Sequence, residues 1–380
     1  MSVLRRAGHL LVMVLLALGG ATAQAHKASD AYLQLDAGAD GLTVRWDIAL
    51  RDLDTVLDLD ADADGRITWA EVKVAWPHIE AYALAHLSID GCPLRPTGRA
   101  LERRNDGAYA VLLLRAACQV VAMPTIGYTL FDDVDPTHRG ITKLQRPGEP
   151  VVLAVLDPTA GPAAAAPGAR AAPRRAASSR WAFVGEGVHH ILTGYDHVLF
   201  LLCLLLPSVM RRTPRGWQPV GQLSQAVLPV IGIVSAFTLA HSITLALAAL
   251  KVVSLAPAFI EPAIALTIVL AALDNLWPVF PVPRVVVTFL FGLIHGFGFA
   301  GVLAELDLPT AEFAWALLQF NLGLEAGQVM IVIGVTSLLF WLRRSPLYAP
   351  WVIRGGSFAA IMIGLLWLIE RIGQVSLWPL

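Results

Sequence analysis

The sequence predicts an α-helical integral membrane bundle of six transmembrane helices, preceded by an exported β-rich domain with an EF-hand-like insertion. The 380-residue chain is 56% hydrophobic and only 15% charged, with a mean hydropathy of +0.63, which is too apolar for an ordinary soluble protein. The apolar residues are concentrated after Trp181, whereas residues 26–156 have a soluble composition. Two domains are therefore expected, one within the membrane and one outside it.

The N-terminus has the pattern of a signal peptide over residues 1–25. Arg5 and Arg6 precede an apolar core that is short for a membrane anchor, and residues 23–25 form an A-x-A cleavage site. Cleavage there would make His26 the first residue, with an imidazole and a terminal amine that together form a candidate site for copper or nickel. An ordinary N-terminal histidine is the alternative. The net charge of −1 gives no basic field, so we expect no nucleic-acid partner.

The exported domain, residues 26–156, is predicted to be mostly β. Residues 32–35 and 42–48 alternate between apolar and polar around a Gly/Asp-rich turn, which indicates a hairpin. Residues 111–114 and 151–155 are further predicted strands. Cys92 and Cys118 both lie in this exported part, so we expect them to form a disulfide.

The EF-hand-like loop covers residues 60–71, DADADGRITWAE. Carboxylates occupy the first, third and fifth positions, a glycine at the sixth permits the sharp turn, and a glutamate closes the loop with two oxygens. Helical patterns flank the loop on both sides. The sequence therefore predicts a calcium site, and a chance acidic turn is the alternative. The predicted ligands are Asp60, Asp62, Asp64, Arg66 through its carbonyl, Thr68 through water, and Glu71.

An Ala/Pro/Arg-rich linker, residues 157–180, leads to the membrane domain, residues 181–380. Arginines are concentrated in the connections that would lie inside the cell, as the positive-inside rule requires if the first helix enters from the periplasm of a bacterial inner membrane. Each predicted span is long enough to cross the hydrocarbon core of a bilayer. The six spans are 184–207, 224–249, 257–277, 284–303, 314–341 and 350–370.

Ionisable side chains recur inside these spans, where they are costly and usually functional. Imidazoles with a few carboxylates suit nickel, cobalt, zinc or copper, whereas calcium and magnesium prefer oxygen throughout. The candidate transition-metal ligands are His189, His190, Asp196, His197, His241 and His295. Candidates for the ion pathway and for charge compensation are Glu186, Glu261, Asp274, Asn321, Glu325 and Gln328.

The spacing of His190 and His197 limits how they can share an ion. On an unbroken helix the two residues lie two turns, or about 10 Å, apart. Both could bind one ion only if Gly194 allowed the helix to unwind. We therefore expect two levels, an outer one at His189 and His190 and a deeper one at Asp196 and the remaining histidines.

Several motifs resemble the HupE/UreJ family of hydrogenase and urease accessory membrane proteins. These are His190-x5-Asp196-His197, FTLAHSIT around His241, EPAIALTIVLAALDN from Glu261, FGLIHGFGFAG around His295 and FNLGLEAGQ around Glu325. The segments AHKASDAYL and DVDPTHRG (133–140) resemble the longer, signal-bearing branch of that family. The resemblance implies a nickel or cobalt permease.

Transport is the favoured hypothesis because polar groups recur at several depths along the bundle. A zinc-dependent intramembrane hydrolase is the alternative, since three histidines and an aspartate can hold a catalytic zinc. A membrane-anchored metal sensor or assembly factor is a third hypothesis. The expected partners are the lipid bilayer and a divalent metal ion.

Overall fold

The computed structural model describes residues 29–104, 107–120, 124–160, 181–214, 216–250, 252–253, 255–297 and 310–373. The predicted signal peptide, His26 and residues 161–180 of the linker lie outside the described residues. The chain forms two compact units. The described residues of the first, N-terminal unit fall within 28–183 and 301–319. Those of the second unit fall within 184–300 and 320–380.

The N-terminal unit is built on a six-stranded sheet with the strand order β4-β5-β2-β1-β7-β8. Strands β1 and β7 run parallel, and the other neighbours are antiparallel. The predicted hairpin is β1–β2, which closes at Gly38 opposite Gly41. A separate pair, β3–β6, completes the strands. The strands are β1 (Asp30–Gly38), β2 (Gly41–Ala49), β3 (Leu87–Ile89), β4 (Arg95–Arg104), β5 (Gly107–Ala116), β6 (Ile126–Tyr128), β7 (Arg139–Gln145) and β8 (Val152–Leu156).

Two helices are inserted between β2 and β3, namely α1 (Leu50–Leu57) and α2 (Trp69–Ala85). Alternate residues of β2 point into the core, where Trp46 is fully buried. Leu53 of α1 and Ile79 of α2 are buried in the same apolar cluster. The insertion is therefore part of the core of this unit and holds the loop between its two helices in place.

A chain of buried hydrogen bonds crosses this unit. The Ser29 hydroxyl donates to Asp52 Oδ2 at 2.9 Å, so its oxygen accepts from His138 Nδ1, 2.6 Å away. His138 Nε2 is then the acceptor for the Tyr128 hydroxyl at 2.6 Å. Burial lowers the pKa of His138 to about 3, so the ring is neutral in the folded protein.

In the residues that the structure describes, the second unit is helical apart from a short hairpin of β9 (Met210–Thr213) and β10 (Gly216–Pro219). A π-helical turn, Tyr348–Gly355, leads into its last helix. The remaining helices are α3 (Ala182–Thr193), α4 (Tyr195–Leu205), α5 (Ser224–Ala249), α6 (Pro257–Leu276), α7 (Arg284–His295), α8 (Thr310–Leu342) and α9 (Gly356–Gly373). The first residues of α3 and of α8 belong to the first unit.

The described residues contain four helices that are long and apolar enough to cross a membrane, namely α5, α6, α8 and the stretch Tyr348–Gly373. Helices α3 and α4 form a fifth such span if the bent pair is one crossing. Helix α7 ends at His295 after 12 residues, short of the predicted span 284–303, and residues 298–309 lie outside the described part. The chain is therefore a multi-pass membrane protein, and its sixth span stays a prediction.

Gly292 of α7 and Gly296, which directly follows this helix, allow α7 to lie against α5. A Cβ on Gly292 would come within 2.6 Å of the Phe237 carbonyl oxygen, and a Cβ on Gly296 would overlap Thr244 Oγ1. The absence of side chains at these positions brings His241 of α5 and His295 of α7 to the same part of the bundle.

Candidate metal centre

The first predicted span, 184–207, is broken at Gly194, the residue at which unwinding would let His190 and His197 share an ion. Helices α3 and α4 meet at an angle of 69° around Gly194, whose backbone is extended, with φ −72° and ψ 90°. Non-helical backbone at membrane depth is tolerated where it is enclosed by protein or lines a cavity. The break brings residues on either side of it, His190 and His197, to a common point. The prediction of two separate levels is therefore wrong.

Four imidazoles from four helices converge at this break. The ring of His197 is the centre of the group, and its centroid lies 5.0 Å from His190, 5.9 Å from His241 and 5.2 Å from His295. His190 and His241 are 6.2 Å apart. Phe237 packs among these rings, with its centroid 5.1 Å from that of His295. We call His190, Asp196, His197, His241 and His295 the histidine site.

Asp196 fixes the orientation of His197. Its Oδ1 accepts from the backbone N–H of His197 at 2.8 Å and lies 2.9 Å from Nδ1 of the same residue. With a carboxylate beside it, Nδ1 carries the proton, which leaves a lone pair on Nε2. That Nε2 is buried and has no hydrogen-bond partner. A carboxylate behind an imidazole in this way is the usual outer partner of a metal-binding histidine.

Thr267 of α6 orients His295 by the same logic. The Thr267 hydroxyl donates its one proton to the Ile264 carbonyl at 2.6 Å, so its oxygen accepts from His295 Nε2, 2.9 Å away. His295 Nδ1 then carries the lone pair, and this nitrogen is also buried without a partner. Two imidazoles of the site are thus held in the tautomers that ligate a metal ion.

His241 is distinguished within the histidine site by its lack of hydrogen bonds. It is 0% exposed, and neither of its ring nitrogens has a hydrogen-bond partner. A buried polar group without a partner is rare in folded proteins because it loses its hydrogen bonds to water and gains none. Such a ring, facing His190 and His197, has the donor chemistry to bind a cation.

The ligand set fits a transition metal. Asp196, His197 and His295 each offer one ligand atom, and these atoms lie within 4.8 Å of one another. Imidazole nitrogens, with the Asp196 carboxylate behind His197 to offset charge, suit nickel, cobalt, zinc and copper, and the remaining positions can come from His190 and His241. The arrangement can therefore bind a divalent ion after it has lost most of its water.

The predicted pathway residues and His189, the predicted metal ligand outside the histidine site, fall into three groups. Glu325 accepts a hydrogen bond from Ser235, and Gln328 accepts one from Thr238 at 2.8 Å, so both link α8 to α5. Glu261 and Asp274 are held in ion pairs with arginines. Helices α3 and α8 carry the half-buried members of the set, which are Glu186, His189 and Asn321.

The ion pairs of Glu261 and Asp274 use arginines from other helices. Arg371 Nη1 lies 2.9 Å from Glu261 Oε2, and Arg284 Nη2 lies 3.1 Å from Asp274 Oδ2. These arginines, together with Thr267, Ser235 and Thr238, are residues that the sequence analysis did not select. No spacing marks them, because each acts through a residue distant in the chain.

The acidic loop of the N-terminal unit follows α1 and leads into α2. Carboxylate oxygens of Asp60, Asp62 and Glu71 lie within 4.8 Å of one another. Gly65 has φ +80°, a left-handed conformation that favours glycine. Glu71 Oε2 accepts from the Thr68 backbone N–H and hydroxyl, both at 2.7 Å, and these bonds lower its pKa. The donor set therefore fits a calcium ion.

Two further predicted calcium ligands lie within this loop, and the two predicted cysteines lie elsewhere in the unit. Asp64 and Arg66 lie at the turn, where the Arg66 N–H donates to Asp64 Oδ1 at 2.8 Å. In the same unit, Cys92 and Cys118 are joined by a disulfide, with their Cα atoms 5.3 Å apart.

A family model described as HupE / UreJ protein matches residues 169–371, more than half of the chain. No curated protein matches the sequence. The matched range contains every member of the histidine site. The chain therefore belongs to the HupE/UreJ family.

Proposed function

We propose that this protein is a permease for a transition metal ion of the nickel/cobalt type, situated in a bacterial inner membrane with its N-terminal unit in the periplasm. The observation that carries the proposal is His241, a fully buried imidazole with two unpartnered nitrogens among three other imidazoles. Membership of the HupE/UreJ family supports the proposal, because that family suggests a role in nickel or cobalt transport or an accessory role.

The residues of the site divide the work as follows. His197, His241 and His295 supply nitrogens, and Asp196 supplies negative charge that offsets the dication. His190 is the ligand on the other side of the Gly194 break, and His189 lies beside it on α3 for capture. Glu325, paired with Ser235, is the carboxylate of α8 that compensates further charge. Glu261 already pairs with Arg371 and is not needed for that role.

The volume beside His197 favours an ion over a larger substrate. The cavity lined by His197, Phe237 and Gln328 measures about 10 Å³. A cavity of that size holds about one water molecule or a desolvated ion. A hydrolase would need room for its substrate next to the metal and a water activated by that metal. This cavity alone therefore provides no substrate site beside His197.

Metal binding and uptake test the proposal separately. Detergent-purified protein should bind Co²⁺ with the visible absorption of a nitrogen-rich site, and His197→Ala should lose that spectrum. Cells that express His197→Ala should accumulate less nickel and cobalt than cells that express the wild type at equal membrane levels. His78→Ala, on α2 of the other unit, is the matched control. Binding without any difference in accumulation would favour a sensor or assembly role.

We further propose that the loop at residues 60–71 binds calcium as a structural ion. Asp60, Asp62, Asp64, the Arg66 carbonyl, Thr68 through water and Glu71 would hold the ion. The convergence of three carboxylates and the left-handed Gly65 support this assignment. A single loop of this kind, outside the cell, fits affinities on the order of 0.1–1 mM.

A further inference from the structure

A second cavity lies at the C-terminal end of α6. It measures about 20 Å³ and is lined by Asp274, Asn275, Arg284 and Thr288 with several apolar side chains. The cavity beside His197 has its own lining, and among the described residues Phe200 and Leu204 contribute to both. The two cavities are therefore neighbours that share a wall of two apolar side chains.

Phe200 is the larger part of this wall. Its side chain is 3% exposed, and its ring centroid lies 5.5 Å from that of His295 and 6.0 Å from that of Phe291. His295 belongs to the histidine site and Phe291 lines the second cavity. An ion that left the histidine site towards the end of α6 would have to pass Phe200.

Two oxygens in the second cavity converge on one cationic nitrogen. Arg284 Nη2 lies 3.1 Å from Asp274 Oδ2 and 3.0 Å from Asn275 Oδ1. Both side chains are held by further bonds. Asp274 Oδ1 accepts from the Val279 N–H at 3.1 Å, and Asn275 Nδ2 donates to the Cys203 carbonyl at 2.7 Å. The oxygens would therefore keep their positions if the guanidinium moved away.

We propose that this cavity is a second station on the ion path and that Arg284 Nη2 occupies its cation position in the present conformation. A divalent ion that passes Phe200 would displace Arg284 from Asp274 and Asn275, and the return of Arg284 would release the ion. Oxygen ligands bind transition ions less tightly than imidazoles do, which suits a station that precedes release. This inference rests on the proposed transport function.

Manganese binding tests the oxygen pair without any transport assay. Detergent-purified Arg284→Gln should bind about one more Mn²⁺ per chain than wild type, as counted by electron paramagnetic resonance, because Mn²⁺ prefers oxygen ligands. The double variant Arg284→Gln/Asp274→Asn should not bind this additional Mn²⁺. Arg371→Gln, which frees Glu261 from the other ion pair of this kind, is the control and should gain none. Equal Mn²⁺ counts for wild type and Arg284→Gln would show that Arg284 is only a structural partner.

Thiol accessibility tests whether Phe200 separates the two cavities. Replacing Cys203, the one thiol outside the disulfide, by serine gives a background in which Thr288→Cys reports on the second cavity and Val234→Cys on the first. A cationic thiol reagent should modify Thr288→Cys from one side of membrane vesicles. It should modify Val234→Cys from that side only when Phe200→Ala is present. Leu205→Ala, buried on the same helix, is the control and should leave Val234→Cys protected.

Two results would overturn the inference, namely continued protection of Val234→Cys in the Phe200→Ala protein, or no modification of Thr288→Cys from either side. Phe200→Leu provides a smaller change if the alanine variant is not monodisperse. Neither readout depends on nickel or cobalt uptake. Failure of the histidine site to support transport would therefore be distinguishable from failure of the second station.

Discussion

The rings of His190 and His197 lie 5.0 Å apart although seven positions separate them in the chain. On a straight helix the two residues would be about 10 Å apart along the axis. The difference is due to Gly194, where α3 ends and α4 begins at an angle of 69°. One short bend thus converts a linear series of histidines into a single site.

Gly194→Ala should disrupt the histidine site. A Cβ at position 194 would lie 2.8 Å from the His190 carbonyl oxygen and 2.9 Å from His197 Nδ1, which is too close. Alanine also favours a continuous helix by about 1 kcal/mol over glycine, which would separate the two rings. We expect weaker Co²⁺ binding, measured by equilibrium dialysis, in correctly inserted protein. Gly185→Ala, whose Cβ meets no atom within 4 Å, should bind like wild type.

His241→Leu should stabilise the metal-free protein while abolishing stabilisation by metal. The buried, unpartnered imidazole costs the folded state about 1–3 kcal/mol, and leucine removes that cost. In wild type, by contrast, a bound ion raises the melting temperature because it binds only the folded state. Thermal unfolding with and without Co²⁺ measures both effects.

His138→Leu is the control for that experiment. Both nitrogens of His138 are hydrogen bonded, so leucine should destabilise the protein there. A metal-free melting temperature for His241→Leu that is lower than that of wild type would mean that the ring has partners in the folded protein.

All five residues of the histidine site were candidates from the sequence, because ionisable residues are conspicuous within apolar spans. The sequence marked Gly194 as the place where the helix could unwind, but the bend itself was not predictable, because an isolated glycine in a helical pattern is also tolerated in a straight helix. Thr267 was not predicted as a partner of His295, because nothing in the sequence shows that α6 lies beside α7. The β9–β10 hairpin was also missed, because its strands of four residues are too short to show alternation.

The pH dependence of stability should reveal the buried chain of bonds around His138. Its pKa is about 3 in the folded protein and near 6.5 in the unfolded one, so the unfolded state binds a proton that the folded state does not. The stability that the neutral ring contributes is therefore complete above pH 6.5 and declines as the pH falls towards 3, by at most about 1.4 kcal/mol per pH unit. Hydrogen exchange of β6 and β7, followed by mass spectrometry, measures this decline.

His138→Gln should remove the contribution of this residue to the pH dependence. The exchange rates of β6 and β7 should then change less between neutral and acidic pH than those of wild type. Ser29→Ala provides the matched variant, because it loses the bonds to Asp52 and His138 at all pH values and keeps the titrating ring. The same acid dependence in wild type and His138→Gln would assign the effect to the carboxylates of this unit.

Glu71→Gln should abolish calcium binding without unfolding the loop. Glutamine keeps an oxygen that can accept from the Thr68 N–H, so the first turn of α2 remains capped, but it lacks the second charged oxygen that closes the calcium site. Isothermal titration of the purified full chain with calcium should therefore show binding in wild type and none in the variant. Asp90 is an exposed carboxylate of the same unit outside the loop, and Asp90→Asn should bind calcium like wild type.

In the absence of calcium the melting temperatures of wild type and Glu71→Gln should agree closely, because the charge repulsion relieved in the variant offsets its weaker cap. If millimolar calcium released no heat with the wild-type protein, the acidic loop would be a helix-capping turn and the calcium assignment would be wrong.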